Sequence, residues 1–168
     1  MRLAIISDTH DNLANLEKFA IWAAKNQIER IIHCGDIASG ETVEFLAKKF
    51  SGDIYLAYGN MDANYRDDIY LASDNLPNVH LFGDEGELEI DGIKIAFCHF
   101  PERAKELAAT GKYNLVFYGH THKPWMETLP SGCQLVNPGT LGGVFQKAAF
   151  AVFDTATKKL ELKILELL

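Results

Sequence analysis

The chain opens Met1-Arg2-Leu3-Ala4-Ile5-Ile6-Ser7-Asp8-Thr9-His10-Asp11-Asn12. Leu3–Ile6 runs without a polar break and then stops at a cluster of metal-capable side chains. An apolar run that short, closed by turn-forming polar residues, reads as a buried strand. The next stretch has a helical period. Between about Asn12 and Asn26, Leu13, Leu16, Ala20, Ala23 and Ala24 fall on one stripe, with Asp11 placed to cap the start. Ile31–His33 is a second strand, Glu41–Phe50 a second helix with the stripe Val43, Leu46, Ala47 and Phe50, and Ile54–Tyr58 a third strand. Strands alternating with helices in this way imply a parallel sheet joined by crossover helices.

The second half changes character. Glu87–Ile90 and Ile93–Cys98 flank Asp91-Gly92, a two-residue hairpin signal. A short helix is expected over Glu102–Ala109 and a buried strand over Leu115–Tyr118. Further strand-like segments lie at Met126–Leu129, Gln134–Val136, Ala148–Phe153 and Leu160–Leu165, separated by turns at Pro130-Ser131-Gly132 and Asp154–Lys158. The expectation is one α/β domain over residues 1–168, with a parallel first sheet and a largely antiparallel second portion. Trp22 and Phe45 lie off their helical stripes. Two readings stand for them: burial under a neighbouring loop, or a surface for a homo-oligomer.

Composition narrows the partners. A chain of 168 residues suits one domain, and 16 Lys+Arg against 23 Asp+Glu give a net charge of −7. That balance argues against an extended nucleic-acid surface or an anionic membrane as partner. No apolar run approaches the roughly 18 residues needed to cross a bilayer. The first strand also meets Asp8 too early for a signal-peptide core. Cys34, Cys98 and Cys133 are odd in number and lack Cys-x-x-Cys spacing, which fits a reducing, cytoplasmic setting.

The decisive pattern lies where the apolar runs end. They deliver Asp8-Thr9-His10, Gly35-Asp36, Gly59-Asn60-Met61-Asp62, His99, and Gly119-His120-Thr121-His122. Singly, a Gly-Asp is most often a turn and a lone histidine most often structural. Together they place metal-capable groups after five strands, at the sheet edge where α/β proteins bind ligands. Mixed imidazole and oxygen donors suit Zn, Mn or Fe better than Mg or Ca. Seven donors exceed one tetrahedral site and suit two ions sharing a carboxylate. Such a pair clamps a phosphoryl group for in-line displacement.

With D-x-H, G-D, G-N-x-D, H and G-H-x-H in this order, the sequence resembles the calcineurin-like metallophosphoesterase superfamily. It is most similar to the small single-domain microbial phosphodiesterases, a branch that includes the eukaryotic retromer scaffold subunit. The resemblance runs from Asp8 to Asn137-Pro138-Gly139-Thr140. It implies a four-layer α-β-β-α sandwich of two packed mixed sheets flanked by helices. One ion would be held by Asp8, His10, Asp36 and His122, and the other by Asp36, Asn60, His99 and His120, with Asp36 as the bridge. Asp36, Asn60 and His99 are the expected catalytic residues, and the implied nucleophile is a hydroxide bridging two divalent ions. Those ions are expected from among Mn, Ni, Zn, Fe and Co, with Mn favoured. The implied substrate is a small phosphoester.

Two departures bear on activity. Larger members carry a histidine after the motif asparagine, credited with protonating the leaving group; here that position is Met61, and the small phosphodiesterase branch also often lacks this histidine. Cys98-His99-Phe100-Pro101 stands where many relatives continue Gly-His. The leading expectation is therefore a phosphodiesterase, with a phosphomonoesterase or nucleotide phosphatase, or a non-catalytic retromer-like scaffold, as alternatives. Lesser expectations attach to neighbouring residues. Asn12 is read as a phosphate contact or a helix-start residue, and Asp62 as a cap for the segment Ala63–Tyr70. Lys123 and Arg66 are read as solvated charges, His33 and Cys34 as packed at the sheet end, and Asn137–Thr140 as a structural turn. Two aspartates and two divalent ions would leave a local charge of about +2, so an acidic chain can still present a phosphate trap.

Overall fold

A computed structural model describes residues 1–168. Five stretches alternate at the start: β1 (Arg2–Ile6), α1 (Leu13–Lys25), β2 (Arg30–His33), α2 (Gly40–Lys49) and β3 (Asp53–Leu56). The helices form where local chemistry favours them. Asn12, not Asp11, caps α1, its side chain accepting the Asn15 N–H. Ser39 does the same for α2 through Thr42 N–H, with Glu41 in the first turn and Lys48 and Lys49 in the last, matching the helix dipole. The buried stripe of α1 is Leu16, Phe19, Ala20 and Ala23; Ala24 faces solvent, and Phe19 takes the central place.

The first sheet continues through α3 (Arg66–Asp74) and β4 (Val79–Leu81), which the sequence patterns did not separate from loop. Its strand order also corrects one expectation. After the hairpin β5 (Glu85–Ile90) and β6 (Ile93–Cys98), α4 (Pro101–Ala109), β7 (Leu115–Phe117), β8 (Trp125–Thr128) and β9 (Gln134–Asn137), the chain returns to the first sheet as β10 (Ala149–Asp154) and β11 (Lys159–Ile164). β10 pairs antiparallel with β1, making the first sheet mixed, in the order β11-β10-β1-β2-β3-β4. The second sheet, β5-β6-β7-β9-β8, is parallel at its heart, since β6–β7 and β7–β9 both run parallel. Its outer pairs are antiparallel, as is β10–β11, so the second portion of the chain is largely antiparallel around this parallel centre. The Asp91-Gly92 turn has both residues at positive φ, as a type I′ hairpin requires.

The result is the four-layer sandwich. Along β1, Leu3 and Ile5 face the second sheet while Ala4 and Ile6 face α1 and α2. Burial on both faces explains the unbroken apolar runs. A third core packs α4 against the outer face of the second sheet. Trp22 and Phe45 are partly buried against the helix-side core, Trp22 edge-on to Phe150 at 4.8 Å. No helix is long and apolar enough to cross a membrane.

Candidate active site

Both sheets present the carboxyl ends of parallel strands to one edge, and there the predicted donors meet. Asp8 follows β1, and its N–H donates to Gly35 O at 3.0 Å; His10 N–H donates to Asp36 O at 3.1 Å. The two loops are thus laced backbone to backbone. Asp8 Oδ1 lies 3.1 Å from His122 Nε2, which in turn lies 3.3 Å from His10 Nε2. Asp36 Oδ2 lies 3.8 Å from His10 Nε2 and 3.4 Å from His99 Nε2. Donor atoms of Asp8, His10, Asp36 and His122 all fall within 4.8 Å of one another. Beside them Asn60 Oδ1 is 3.0 Å from His99 Nε2 and 2.9 Å from His120 Nδ1. All seven expected residues therefore converge, with Asp36 touching both groups.

Backbone strain concentrates here. Asp8, His10, Asp36, His120 and His122 all have φ between 45° and 68°. Left-handed conformations at non-glycine residues persist only where the surroundings over-determine them. Two motif glycines permit the crowding. A Cβ on Gly59 would sit 2.1 Å from Asp36 Oδ1, and one on Gly119 would sit 2.0 Å from Ser7 Oγ.

The ring tautomers decide what the site can hold. His99 Nδ1 donates to Cys34 O at 2.8 Å, and His122 Nδ1 donates to Val144 O at 3.0 Å. In the neutral rings Nε2 then carries a lone pair, aimed at carboxylate and amide oxygens that are themselves acceptors. Only a cation or a proton relieves that arrangement. Burial alone would lower the His99 pKa, but the Asp36 and Asp8 carboxylates outweigh it and raise it. For His122 the neighbouring Asp8 carboxylate raises the pKa against the opposing effect of burial. Burial likewise resists ionisation of Asp36, yet His99 and the Met61 N–H hold its carboxyl below the ordinary range. The chemistry of this donor set fits divalent metal ions: nitrogen and oxygen lone pairs, two buried carboxylates, and no lysine among them.

A further layer fixes the donors. Asp62 is wholly buried and accepts N–H groups from Asp36 (2.9 Å), Ala38 (2.8 Å) and Gly59 (2.7 Å). It clamps the loops after β2 and β3 and does not cap the following helix, correcting the expectation. His33 accepts the Gly35 N–H at Nδ1 and meets Thr9 Oγ1 at Nε2, 3.0 Å away. Asn137 donates to Gly119 O and Thr121 Oγ1, and Thr140 donates to Asp8 O, so that segment is structural scaffolding. Asn12 caps α1 and donates to Gly142 O. Arg66 pairs with Asp84 and covers the Tyr58 ring, and Lys123 lies near Trp125. A cleft of about 440 Å³ opens over the donors, walled in part by Met61, Val144 and Phe145. Of the residues that sequence reasoning passed over, Asp62's clamp had no local signal beyond its motif place, and Phe145 had none.

The fold and the site together define a two-sheet α/β protein with a phosphoesterase-type cluster of nitrogen and oxygen donors. A model of the calcineurin-like phosphoesterase superfamily domain matches residues 1–158, and the chain belongs to that superfamily. Phosphodiesterase MJ0936 of Methanocaldococcus jannaschii is 30% identical over 172 residues, spanning 99% of this chain and 100% of its own. A solved archaeal phosphodiesterase superposes with a TM-score of 0.88 at 27% identity, covering 98% of this chain and 99% of that one. Vacuolar protein sorting 29 of Cryptosporidium parvum gives 0.68 at 19% identity, over 97% and 95% of the two chains, a likeness of fold alone.

Proposed function

We propose that the protein is a phosphodiesterase that works with two divalent metal ions in the cytoplasm, on a small phosphoester. The observation that carries this reading is the convergence of nitrogen and oxygen donors from both sheets around Asp36. Asp8, His10, Asp36 and His122 would hold one ion, and Asp36, Asn60, His99 and His120 the other. Such a pair, when bound, supplies the charge that activates water and polarises phosphoryl oxygens. Mn is the favoured identity, among Ni, Zn, Fe and Co. The chain's own groups provide the positioning. Cys34 O and Val144 O fix the two rings, and the Met61 N–H occupies Asp36 Oδ1 while Oδ2 stays inward.

Met61 carries no acidic proton, and its side chain is half exposed beside the donors. General-acid help is worth about 10²–10⁴-fold in rate, so turnover should depend steeply on leaving-group acidity. A diester with a phenolic leaving group suits such a site, and the likeness to Phosphodiesterase MJ0936 and to the solved archaeal phosphodiesterase supports diesters over monoesters. The test is hydrolysis of bis-p-nitrophenyl phosphate by metal-stripped protein after restoring Mn²⁺, Ni²⁺, Co²⁺ or Zn²⁺. Turnover with at least one ion is expected. No metal-dependent turnover sinks the enzymatic reading, and stoichiometric metal without hydrolysis would favour a scaffold. A higher kcat/KM for a matched monoester would reverse the substrate ranking.

A further inference from the structure

Phe145 is the most exposed large apolar side chain in the protein, at 91%. It also sits at φ 61°, where a bulky residue is a genuine outlier. Neither feature helps folding, because the ring buries almost nothing. What the ring does have is a place. It lies nearly parallel to His122, at an interplanar angle of 24° with centroids 5.8 Å apart, and walls the cleft over the donor cluster.

The segment carrying it is held firmly at its base. Leu141 N–H donates to Ser7 O and Gly142 N–H to Asp8 O. Asn12 and Asn15 side chains donate to Gly142 O, and Val144 O receives His122 Nδ1–H. The same bonds that orient Asp8 and His122 therefore set Phe145 beside them. Its outer face remains open.

We propose that Phe145 is a stacking platform that selects phosphoesters bearing a flat aromatic group, a nucleobase or a simple aryl ring. The inference rests on the phosphoester reading above. With the phosphoryl group at the donors, an aromatic substituent lies against the open face of Phe145. An alkyl substituent of similar charge gains far less there, since stacking rewards planar π-surfaces. Stacking a base on an aromatic side chain typically changes affinity by about 5- to 150-fold. The openness of this wall places the effect near the lower end.

The experiment measures calorimetric binding of four ligands to the Mn²⁺-loaded protein: inorganic phosphate, methyl phosphate, phenyl phosphate and thymidine 5′-monophosphate. The wild type should bind one or both aromatic esters about 5- to 30-fold tighter than methyl phosphate. Phe145→Ala should remove most of that margin and leave methyl phosphate within about twofold, while Phe145→Trp restores the margin. Thermal unfolding should be unchanged in both variants, since so exposed a ring contributes little to stability. The better of the two aromatic ligands tells a nucleobase from a simple aryl group. Equal binding of methyl and aromatic esters by the wild type overturns the proposal. So does a Phe145→Ala loss shared equally by all ligands, which would mark a structural role through His122. Failure of the loaded protein to bind methyl phosphate or inorganic phosphate overturns the phosphoester reading itself, and the stacking platform with it.

Discussion

The two sheets contribute to the site in opposite currencies. The first sheet, through the loops after β1, β2 and β3, supplies Asp8, His10, Asp36 and Asn60, including both carboxylates. The second, after β6 and β7, supplies only imidazoles: His99, His120 and His122. Their support differs to match. The carboxylates are steadied by backbone donors, Met61 N–H on Asp36 and His120 N–H on Asp8. The imidazoles of His99 and His122 are steadied by backbone acceptors, Cys34 O and Val144 O. Each sheet also leans on the other, since Cys34 follows β2 while His120 follows β7. The difference teaches that neither sheet edge is a site alone. Anionic ligands held by N–H groups and neutral ligands held by C=O groups become a metal-binding set only when the sheets pack.

The largest break in that comparison comes from Asp36, whose carboxylate lies against His10 of one group and His99 of the other. Asp36→Asn keeps the shape and removes the shared charge. Turnover on a diester should fall by at least about 10³-fold, ~4 kcal/mol of transition-state stabilisation. Elemental analysis should show metal content falling together with activity. Normal turnover in this variant would show that the two donor groups do not share Asp36.

A subtler break acts on the first sheet alone. Asp62 accepts two N–H groups at Oδ2, from Asp36 and Gly59, and one at Oδ1, from Ala38. Asp62→Asn has only one oxygen to offer, so either Ala38 or the other pair must face an amide NH₂. Groups that orient metal ligands typically change metal affinity or activity by about 10- to 100-fold. Mn²⁺ affinity measured by calorimetry should weaken by that order, with leaving-group dependence unchanged. Wild-type affinity would mean that the loops hold Asp36 without the clamp.

How much of this was legible beforehand follows the locality of each signal. Strand ends carrying Asp8, Asp36, Asn60, His99, His120 and His122 are visible because apolar runs and turn residues are adjacent in sequence. The Asp91-Gly92 hairpin is visible for the same reason. Pairing between distant strands leaves no such trace. Nothing in Ala149–Asp154 announces that it lies antiparallel to β1, or that β7 lies between β6 and β9 in a parallel core. β4 is only three residues long, too short for a period to show. Asp62 looks like a helix cap because it precedes Arg66–Asp74, whereas two of its three partners, Asp36 and Ala38, lie in the loop after β2. Phe145 is invisible because its role depends on His122, 23 positions away.

The smallest expected effect concerns stability and isolates the first sheet's buried support. Burial lowers the pKa of His33 to about 3 from 6.5; the Asp8 and Asp36 carboxylates push it up, and His99 and His10 push it down, without reversing that result. A depressed histidine pKa means the unfolded chain takes up a proton that the folded protein refuses. Stability from this group is therefore intact above about pH 6.5 and declines as pH falls towards 3. The slope in that window is up to ~1.4 kcal/mol per pH unit. His99 and His122, with raised values, pull in the opposite direction in metal-free protein, so the wild-type curve alone mixes the two signs. His33→Gln removes one term only. Urea midpoints of chelator-treated wild type and variant, compared from pH 7 to pH 5, should converge as the wild type loses its advantage. Parallel curves would mean that His33 takes up its proton alike in the folded and the unfolded chain, and the Gly35 N–H, which a charged ring cannot accept at Nδ1, would then lose its acceptor as the pH falls.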